Sequence, residues 1–160
     1  YFECIDQAIL ELNKSRKKEG KNIGESLKKN VKNLNKRLLK ISNLAKKNLN
    51  NEFKKYNTKI NKMMKNIDID KTRLYQEVAI MIEKKDIDEE IVRLNSHLNL
   101  FNDYFVSDNE IGKKISFLIQ EINREINTIG SKTNDINITY ETLNMKNEIE
   151  QIREQIQNIL

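Results

Sequence analysis

Apolar side chains recur along this chain at alternating intervals of four and three residues, with polar residues between them. The first such stripe is Leu27, Val31, Leu34, Leu38, Ile41 and Ala45. This spacing places about one apolar side chain per turn on one helix face, which predicts a helix packed against other helices. A less regular stripe follows at Phe53, Tyr56, Ile60, Met63 and Ile67. We therefore predict that residues 25–66 form one or two long helices projecting from a bundle made by residues 72–160.

Three further stripes repeat the same spacing in the second half of the chain. They are Ile87, Ile91, Leu94, Leu98, Phe101 and Phe105; then Ile111, Ile115, Leu118, Ile122, Ile126 and Ile129; and then Met145, Ile149, Ile152, Ile156 and Ile159. With no strand pattern of useful length, the chain is predicted to be all-α, a helical bundle of five or six helices with long protruding arms. Because narrow stripes bury little area per helix, we also expect the protein to be oligomeric.

Two local signals indicate where helices begin. Asp86 precedes the stripe that starts at Ile87, as a helix N-cap does. Ser107 and Glu110 form a Ser-x-x-Glu capping box between the stripe that ends at Phe105 and the stripe that begins at Ile111. A short capped turn there predicts an antiparallel hairpin in which Glu90 lies level with Glu125.

Composition narrows the possible chemistry. Pro is absent and Gly occurs 4 times, which disfavours turn-rich β folds. The single Cys4 excludes an intramolecular disulfide framework, and we expect it to be a small buried apolar residue. The single His97 excludes a Cys/His zinc module. No run of 18 apolar residues exists, so we expect no membrane span.

Charge is distributed unevenly between the two halves. Residues 1–80 hold 20 Lys/Arg and 9 Asp/Glu, a net charge of +11, whereas residues 81–160 hold 9 and 15, a net of −6. We therefore divide the chain into a basic long-helix region, 1–70, and an acidic bundle, 71–160. Lys28, Lys32 and Lys36 of the basic region suit sequence-independent phosphate binding, or they form a solvated face.

The helix predicted from the stripe Ile111–Ile129 has two polar faces beside that stripe. Gln120, Arg124, Asn127 and Ser131 form one face, and Glu121, Glu125, Thr128 and Lys132 form the other. Arg, Gln and Asn side chains can hold phosphate groups or base edges, and two carboxylates four residues apart can share a hard cation. The alternative is a solvated surface of salt bridges.

The helix predicted from the stripe Ile87–Phe105 also has a polar face. Glu90, Arg93 and His97 follow one another at intervals of three and four residues, which brings an acid, a guanidinium and an imidazole together. The alternative is an ion pair within the helix and a bystander His97. Glu77 is either paired with an Arg such as Arg73 or a metal ligand.

Four strings in this order resemble the C-terminal half of the bacterial YicC/YloC family. They are RLYQEVA at 73–79, KKDIDEEIVRLNSHL at 84–98, GKKISFLIQEINREINTIGSK at 112–132 and REQIQNIL at 153–160. The resemblance implies a cytoplasmic, oligomeric (hexameric) endoribonuclease that acts with a divalent metal. We accordingly expect the chain to be the C-terminal part of a longer protein.

These observations lead to one functional hypothesis and two alternatives. The hypothesis is a divalent-metal-dependent endoribonuclease, with Mg²⁺ or Mn²⁺ favoured because carboxylates far outnumber His and Cys. The alternatives are a non-catalytic helical scaffold that binds RNA or a partner, and a plain coiled-coil element. The expected catalytic residues are Glu121, Glu125, His97 and Arg124, and the expected metal ligands are Glu77, Glu90, Glu121 and Glu125. The expected RNA-binding residues are Lys28, Lys32, Lys36, Arg93, Lys113, Lys114, Gln120, Asn127, Ser131 and Lys132.

Overall fold

The computed structural model describes residues 2–63, 71–104 and 112–157. Over these ranges the chain forms five helices: α1 (Phe2–Met63), α2 (Lys71–Lys85), α3 (Asp88–Tyr104), α4 (Gly112–Lys132) and α5 (Ile136–Gln157). No strand occurs in these ranges, which confirms the all-α prediction. None of the described helices is apolar enough over a sufficient length to cross a membrane.

Four of the helices form an antiparallel bundle. α1 packs on α3 and on α5, and α4 also packs on both, so each of these helices has two neighbours. Hydrogen bonds between α1 and the α5 side of the bundle join Ser26 to Gln155, Arg37 to Glu148 and Asn48 to Asp135, so residue numbers fall along one segment as they rise along the other. These contacts make α1 antiparallel to α5, and the Arg93–Glu125 and Glu90–Lys132 pairs make α3 antiparallel to α4. Because only three residues connect α4 to α5, that pair is antiparallel as well, and α1 and α3 therefore also run in opposite directions, in an up-and-down order.

The apolar stripes predicted from the sequence form the core of this bundle. Its buried side chains come from α1, from the α3 stripe beginning at Ile87, from α4 and from α5. Phe101 is fully buried in it, as predicted for a core aromatic. Phe105, Ile111, Ile159 and the capping box at Ser107 lie outside the described residues.

Helix α1 differs most from expectation. Leu27, Val31, Leu34, Leu38 and Ile41 are buried in the core, so this part of residues 25–66 is a wall of the bundle and not a projecting arm. The physical reason is that the stripes of α3 and α5 would face water without it. Phe53 was expected to continue the stripe but is exposed, whereas Ile60 is buried. The predicted division of the chain at residue 70 and the oligomeric state stay predictions.

The beginning of α1 has no tertiary neighbour among the residues that the structure describes. The helix has 62 residues and is thus about 93 Å long, while the 22 residues of α5 span about 33 Å. Every described side chain from Cys4 to Asn22 is exposed. The prediction of a buried Cys4 is therefore wrong, because the first turns of α1 meet none of the other described helices.

Candidate functional site

The groove between α3 and α4 holds most of the residues proposed for chemistry. Its geometry starts at Asp86, whose Oδ1 accepts a hydrogen bond from the backbone N–H of Asp88 at 2.9 Å. Asp86 therefore caps the start of α3, as predicted. With α3 started at this point, Glu90 and Arg93 reach towards α4.

Glu90 is one of two buried carboxylates in this groove, with 6% of its surface exposed. Its Oε1 accepts a hydrogen bond from Lys132 Nζ at 2.8 Å, and the same ammonium group donates to the Asp86 carbonyl at 3.1 Å. Glu90 Oε2 is buried and has no hydrogen-bond partner among the described residues. Lys132 thus neutralises Glu90 and joins the end of α4 to the start of α3.

A second ion pair lies one turn along the groove. Glu125 is buried, with 5% exposed, and its Oε1 is 3.8 Å from Arg93 Nη1. Arg93 also donates to Glu89 on its own helix. Arg93 is therefore held between an exposed and a buried carboxylate and is only partly available to a ligand.

The same antiparallel register continues to His97 and Glu121. His97 lies four residues after Arg93, and Glu121 lies four residues before Glu125, so the two stand at one level of the hairpin. Both side chains are half-buried. We call Glu90, Arg93 and His97, with Glu121, Glu125 and Lys132, the α3–α4 polar line.

The antiparallel packing of α3 and α4 is confirmed, and its predicted register holds to within about one helical turn. Counting from the turn put Glu90 level with Glu125, whereas Arg93 contacts Glu125 and Glu90 contacts Lys132. The difference is about one helical turn. Its cause is that interlocking side chains set the register, which counting residues from a turn does not capture.

The second polar face of α4 points to solvent. Gln120, Arg124, Asn127 and Ser131 are exposed, and Ser131 Oγ donates to the carbonyl of Thr128 at 2.9 Å. The described contacts of Glu125 are with Arg93 and not with Arg124. Arg124 therefore flanks the polar line and does not neutralise it.

The predicted metal ligands do not converge. Glu77 is exposed on α2, a helix whose main packing is against α1, whereas Glu90, Glu121 and Glu125 lie along the α3–α4 groove. In the part of the chain that the structure describes, no three acidic, His or Cys side chains are grouped as metal ligands. The four-carboxylate set is not assembled.

The predicted RNA-binding lysines are spread over the surface. Lys28, Lys32 and Lys36 are exposed on α1, and Lys114 is exposed near the start of α4. The side chain of Lys113 lies outside the described part of the chain. Lys132 is the exception, because its ammonium group is engaged by Glu90 and Asp86.

A polar network that was not predicted from the sequence links α1 and α5. Arg37 donates to Glu148 at 2.9 Å and to Glu141 at 2.7 Å, and Lys40 donates to Glu141 at 3.1 Å. Burial alone would raise the pKa of Glu141, but the hydrogen bonds from Arg37 and Lys40 outweigh it and lower that pKa. The sequence feature that could have predicted this network is the pair Glu141 and Glu148, which lie seven residues apart beside the stripe that begins at Met145.

A pocket at one end of the bundle was not predicted from the sequence either. It has a volume of about 270 Å³ and is formed by residues 45–55 of α1, by residues 85–88, and by residues 132–138. Asn48 donates to Asp135 at 2.7 Å in its wall, and this hydrogen bond is the main cause of the lowered pKa of Asp135. Lys132 lines the pocket as well, so the pocket adjoins one end of the polar line.

Most of this chain matches a known protein family and its curated members. A family described as "Endoribonuclease YicC-like, C-terminal" matches residues 41–160. The "Probable endoribonuclease YicC" of Clostridioides difficile (strain 630) is 41% identical over 158 residues, which cover 98% of this chain and 54% of that protein. The protein of the same name from Haemophilus influenzae is 37% identical over 93 residues, which cover 58% of this chain and 32% of that protein. The chain thus spans about half the length, or less, of these curated relatives, and it belongs to the YicC-like family.

Proposed function

We propose that this chain is the part of an endoribonuclease that carries its catalytic groups, and that it cleaves RNA phosphodiester bonds. The observation that carries the proposal is the α3–α4 polar line, in which half-buried His97 and Glu121 share one level beyond two ion pairs. The names of two relatives, each a "Probable endoribonuclease", support it. Since those relatives are longer, the activity is proposed for the whole protein.

The chemistry requires a group that removes a proton and a group that returns one. In RNA the 2′-hydroxyl can attack the adjacent phosphorus once a base takes its proton, and the leaving 5′-oxygen must then be protonated. Histidine exchanges protons near neutral pH, which makes His97 one of the two groups. We assign Glu121 as the other.

Positive charge beside these groups would stabilise the phosphorane-like transition state. Arg124 is exposed and flanks Glu121 and Glu125 on α4, so it is available to a phosphate. Arginine suits this task because its planar donors match phosphate oxygens. Lys132 is already bound to Glu90, so we assign the contact with the scissile phosphate to Arg124.

Dependence on Mg²⁺ or Mn²⁺ stays a prediction. Glu90 Oε2, buried without a hydrogen-bond partner, is an oxygen that a hard cation would accept as a ligand. However, the described side chains do not fit the predicted four-carboxylate site, and Glu90 Oε1 is held by Lys132. We therefore derive no step of the reaction through a metal ion.

We further propose that the protein is cytoplasmic and oligomeric, with the hexamer implied by the family resemblance. The support for oligomerisation is an exposed apolar stripe at Ile5, Ile9 and Leu12 in the uncovered beginning of α1. Large exposed apolar groups that share one helix face typically mark an interface.

The alternative function is a helical scaffold that binds RNA without cutting it. One observation favours it: both buried carboxylates of the polar line, Glu90 and Glu125, already lie beside cationic side chains, as in structural salt bridges. Salt-dependent RNA binding by pure protein that never cleaves its ligand would select this alternative.

The decisive experiment compares the full-length protein with its Glu121→Gln variant on end-labelled RNA. We expect cleavage by the variant to fall by about 10²-fold or more, the range for loss of a general acid or base. Glu154→Gln, an exposed carboxylate on α5, is the matched control and should retain normal activity. Glu121→Gln cleavage at the normal rate would remove Glu121 from the mechanism. EDTA followed by Mn²⁺ tests metal dependence in the same assay.

A further inference from the structure

The last turns of α1 run beyond the ends of two neighbouring helices. Asn48 pairs with Asp135, which immediately precedes α5, and Glu52 pairs with Lys85, which precedes α3. Because both neighbours run antiparallel to α1, residues beyond Glu52 lie past the starts of α3 and α5. One face of this segment is therefore not covered by the bundle.

That uncovered segment is strongly basic. Lys54, Lys55, Lys59 and Lys62 lie with Thr58 around one concave surface. Their spacing puts them on one side of the helix, and all four side chains are exposed. In the part of the chain that the structure describes, none of these ammonium groups forms an ion pair within 4.0 Å. The nearby Glu52 carboxylate is engaged by Lys85 at 3.0 and 3.2 Å.

This basic surface leads into the pocket at the end of the bundle. Lys55 lines both, and Lys46 adds a second exposed ammonium group to the pocket. The pocket wall also carries four acidic residues, of which Glu52 is engaged by Lys85 and Asp135 by Asn48; the other two are Asp86 and Asp88. Asn51 and Asn134 place amide groups there, which can donate and accept hydrogen bonds. Lys132, on the opposite wall, joins the pocket to Glu90 and the polar line.

The lysines of the earlier turns are placed differently. Gln155 of α5 donates to Ser26 Oγ at 3.0 Å, so the antiparallel register sets Lys28 and Lys32 level with Glu154 and Glu150. Two acidic residues therefore stand at that height of the bundle and offset part of its positive potential. No α5 residue stands beside Lys54–Lys62.

We propose that the basic surface Lys54–Lys62 binds the sugar–phosphate backbone of single-stranded RNA and directs it into the pocket beside Lys132. The proposal rests on the RNA-cleaving function proposed above. Flexible single strands suit it because a pocket of about 270 Å³ is too small for a duplex, and because unpaired bases can be splayed out into such a site. The role that the sequence analysis gave to Lys28, Lys32 and Lys36 would then be minor.

Binding to a ligand that resists cleavage tests the proposal apart from catalysis. The ligand is a fluorescent 2′-O-methyl oligouridine of about twelve nucleotides, within the usual range of single-strand site sizes. The test variant of the full-length protein is Lys55→Gln/Lys59→Gln/Lys62→Gln, and the control is Lys28→Gln/Lys32→Gln/Lys36→Gln. Both triples remove three exposed charges from the same helix, so the comparison is matched in charge and in helix.

We expect the test triple to weaken binding at least about tenfold near 0.15 M salt and to make the slope of log K against log salt shallower by about 2. The control triple should lose less than about threefold. Equal losses in the two triples, or no loss in the first, would overturn the proposal while leaving the cleavage assay to judge the function.

A positional measurement does not depend on any variant. The same oligonucleotide with one 4-thiouridine is photo-crosslinked to the wild-type protein and the attached peptides are mapped. We expect crosslinks within residues 46–62 or 132–138. Crosslinks confined to residues 25–40 would contradict the proposed path even if the variants failed to fold.

Discussion

Lys132 is the residue on which the geometry of the candidate site depends most directly. Its ammonium group holds Glu90 at 2.8 Å and the Asp86 carbonyl at 3.1 Å. We expect Lys132→Met to cost about 2–4 kcal/mol in the free energy of unfolding, because it leaves a buried carboxylate without its cation. Urea denaturation measures this change.

The control for that substitution is Lys114→Met, which removes an exposed lysine from the same helix and should cost less than about 0.5 kcal/mol. Adding Glu90→Gln to Lys132→Met should restore part of the stability, since no buried charge then remains. If the double variant were as unstable as the sum of the two single ones, the pair would not be coupled.

Glu141 is expected to make stability depend on pH. Its pKa lies below the ordinary value of 4.5 in the folded chain, because hydrogen bonds from Arg37 and Lys40 outweigh the effect of burial. A carboxyl with a lowered folded pKa contributes stability above its unfolded pKa and loses it as pH falls through the folded pKa. Glu141→Gln should therefore cost about 1–3 kcal/mol at neutral pH and less at an acid pH below the folded pKa of Glu141.

Urea denaturation at the two pH values checks the Glu141 prediction. Glu150→Gln serves as a control, because the Glu150 carboxylate forms only an exposed ion pair with Arg153 at 3.5 Å. If Glu141→Gln lowered the free energy of unfolding by the same amount at both pH values, the network would stabilise the protein through packing alone. The protonation of Glu141 would then not be linked to folding.

At the scale of elements, helix α1 is the wall that closes the four-helix core. Leu34 is fully buried in it, whereas Leu39 on the same helix has 65% of its surface exposed. We expect Leu34→Ala to cost about 2–5 kcal/mol through a lost apolar contact and the cavity left behind. Leu39→Ala is the matched control and should cost less than about 1 kcal/mol.

Thermal or urea denaturation of these two variants distinguishes a wall from an arm. If α1 projected over residues 25–66, as the sequence analysis expected, the two substitutions would have similar small effects. The buried stripe from Leu27 to Ile41 requires them to differ.

At the scale of the whole molecule, stability should vary along α1. Residues 4–22 are exposed and are not covered by any other described part of the chain, and an isolated helix of that length is marginal in water. We therefore expect their amides to exchange hydrogen rapidly at low protein concentration, while residues 27–41 are protected to nearly the global free energy of unfolding. Hydrogen-exchange mass spectrometry measures both.

The same measurement bears on oligomerisation. If Ile5, Ile9 and Leu12 pack against another copy, protection of residues 4–22 should rise with protein concentration while that of residues 27–41 stays constant. If residues 4–22 and 27–41 were equally protected from hydrogen exchange at the lowest usable protein concentration, the beginning of α1 would be stable without a partner. That result would contradict the prediction.

The sequence by itself determined the local features of this protein. Spacing of Ile and Leu at three and four residues predicted the helices and most of the buried positions, because helical geometry puts such residues on one face. Asp86 was identifiable as a cap because its hydrogen bond is made within two residues. The residues of the polar line were found because they share helix faces with one another.

Tertiary structure alone decided the features that join distant parts of the chain. It made residues 27–41 of α1 a wall of the core, paired Arg93 with Glu125 and Lys132 with Glu90, and linked Arg37 to Glu141. It also formed the pocket from three separate segments. The physical reason is that a helical stripe specifies that a face is buried but not which face covers it or at what register. Those choices depend on the packing of side chains that lie up to 129 residues apart in the sequence.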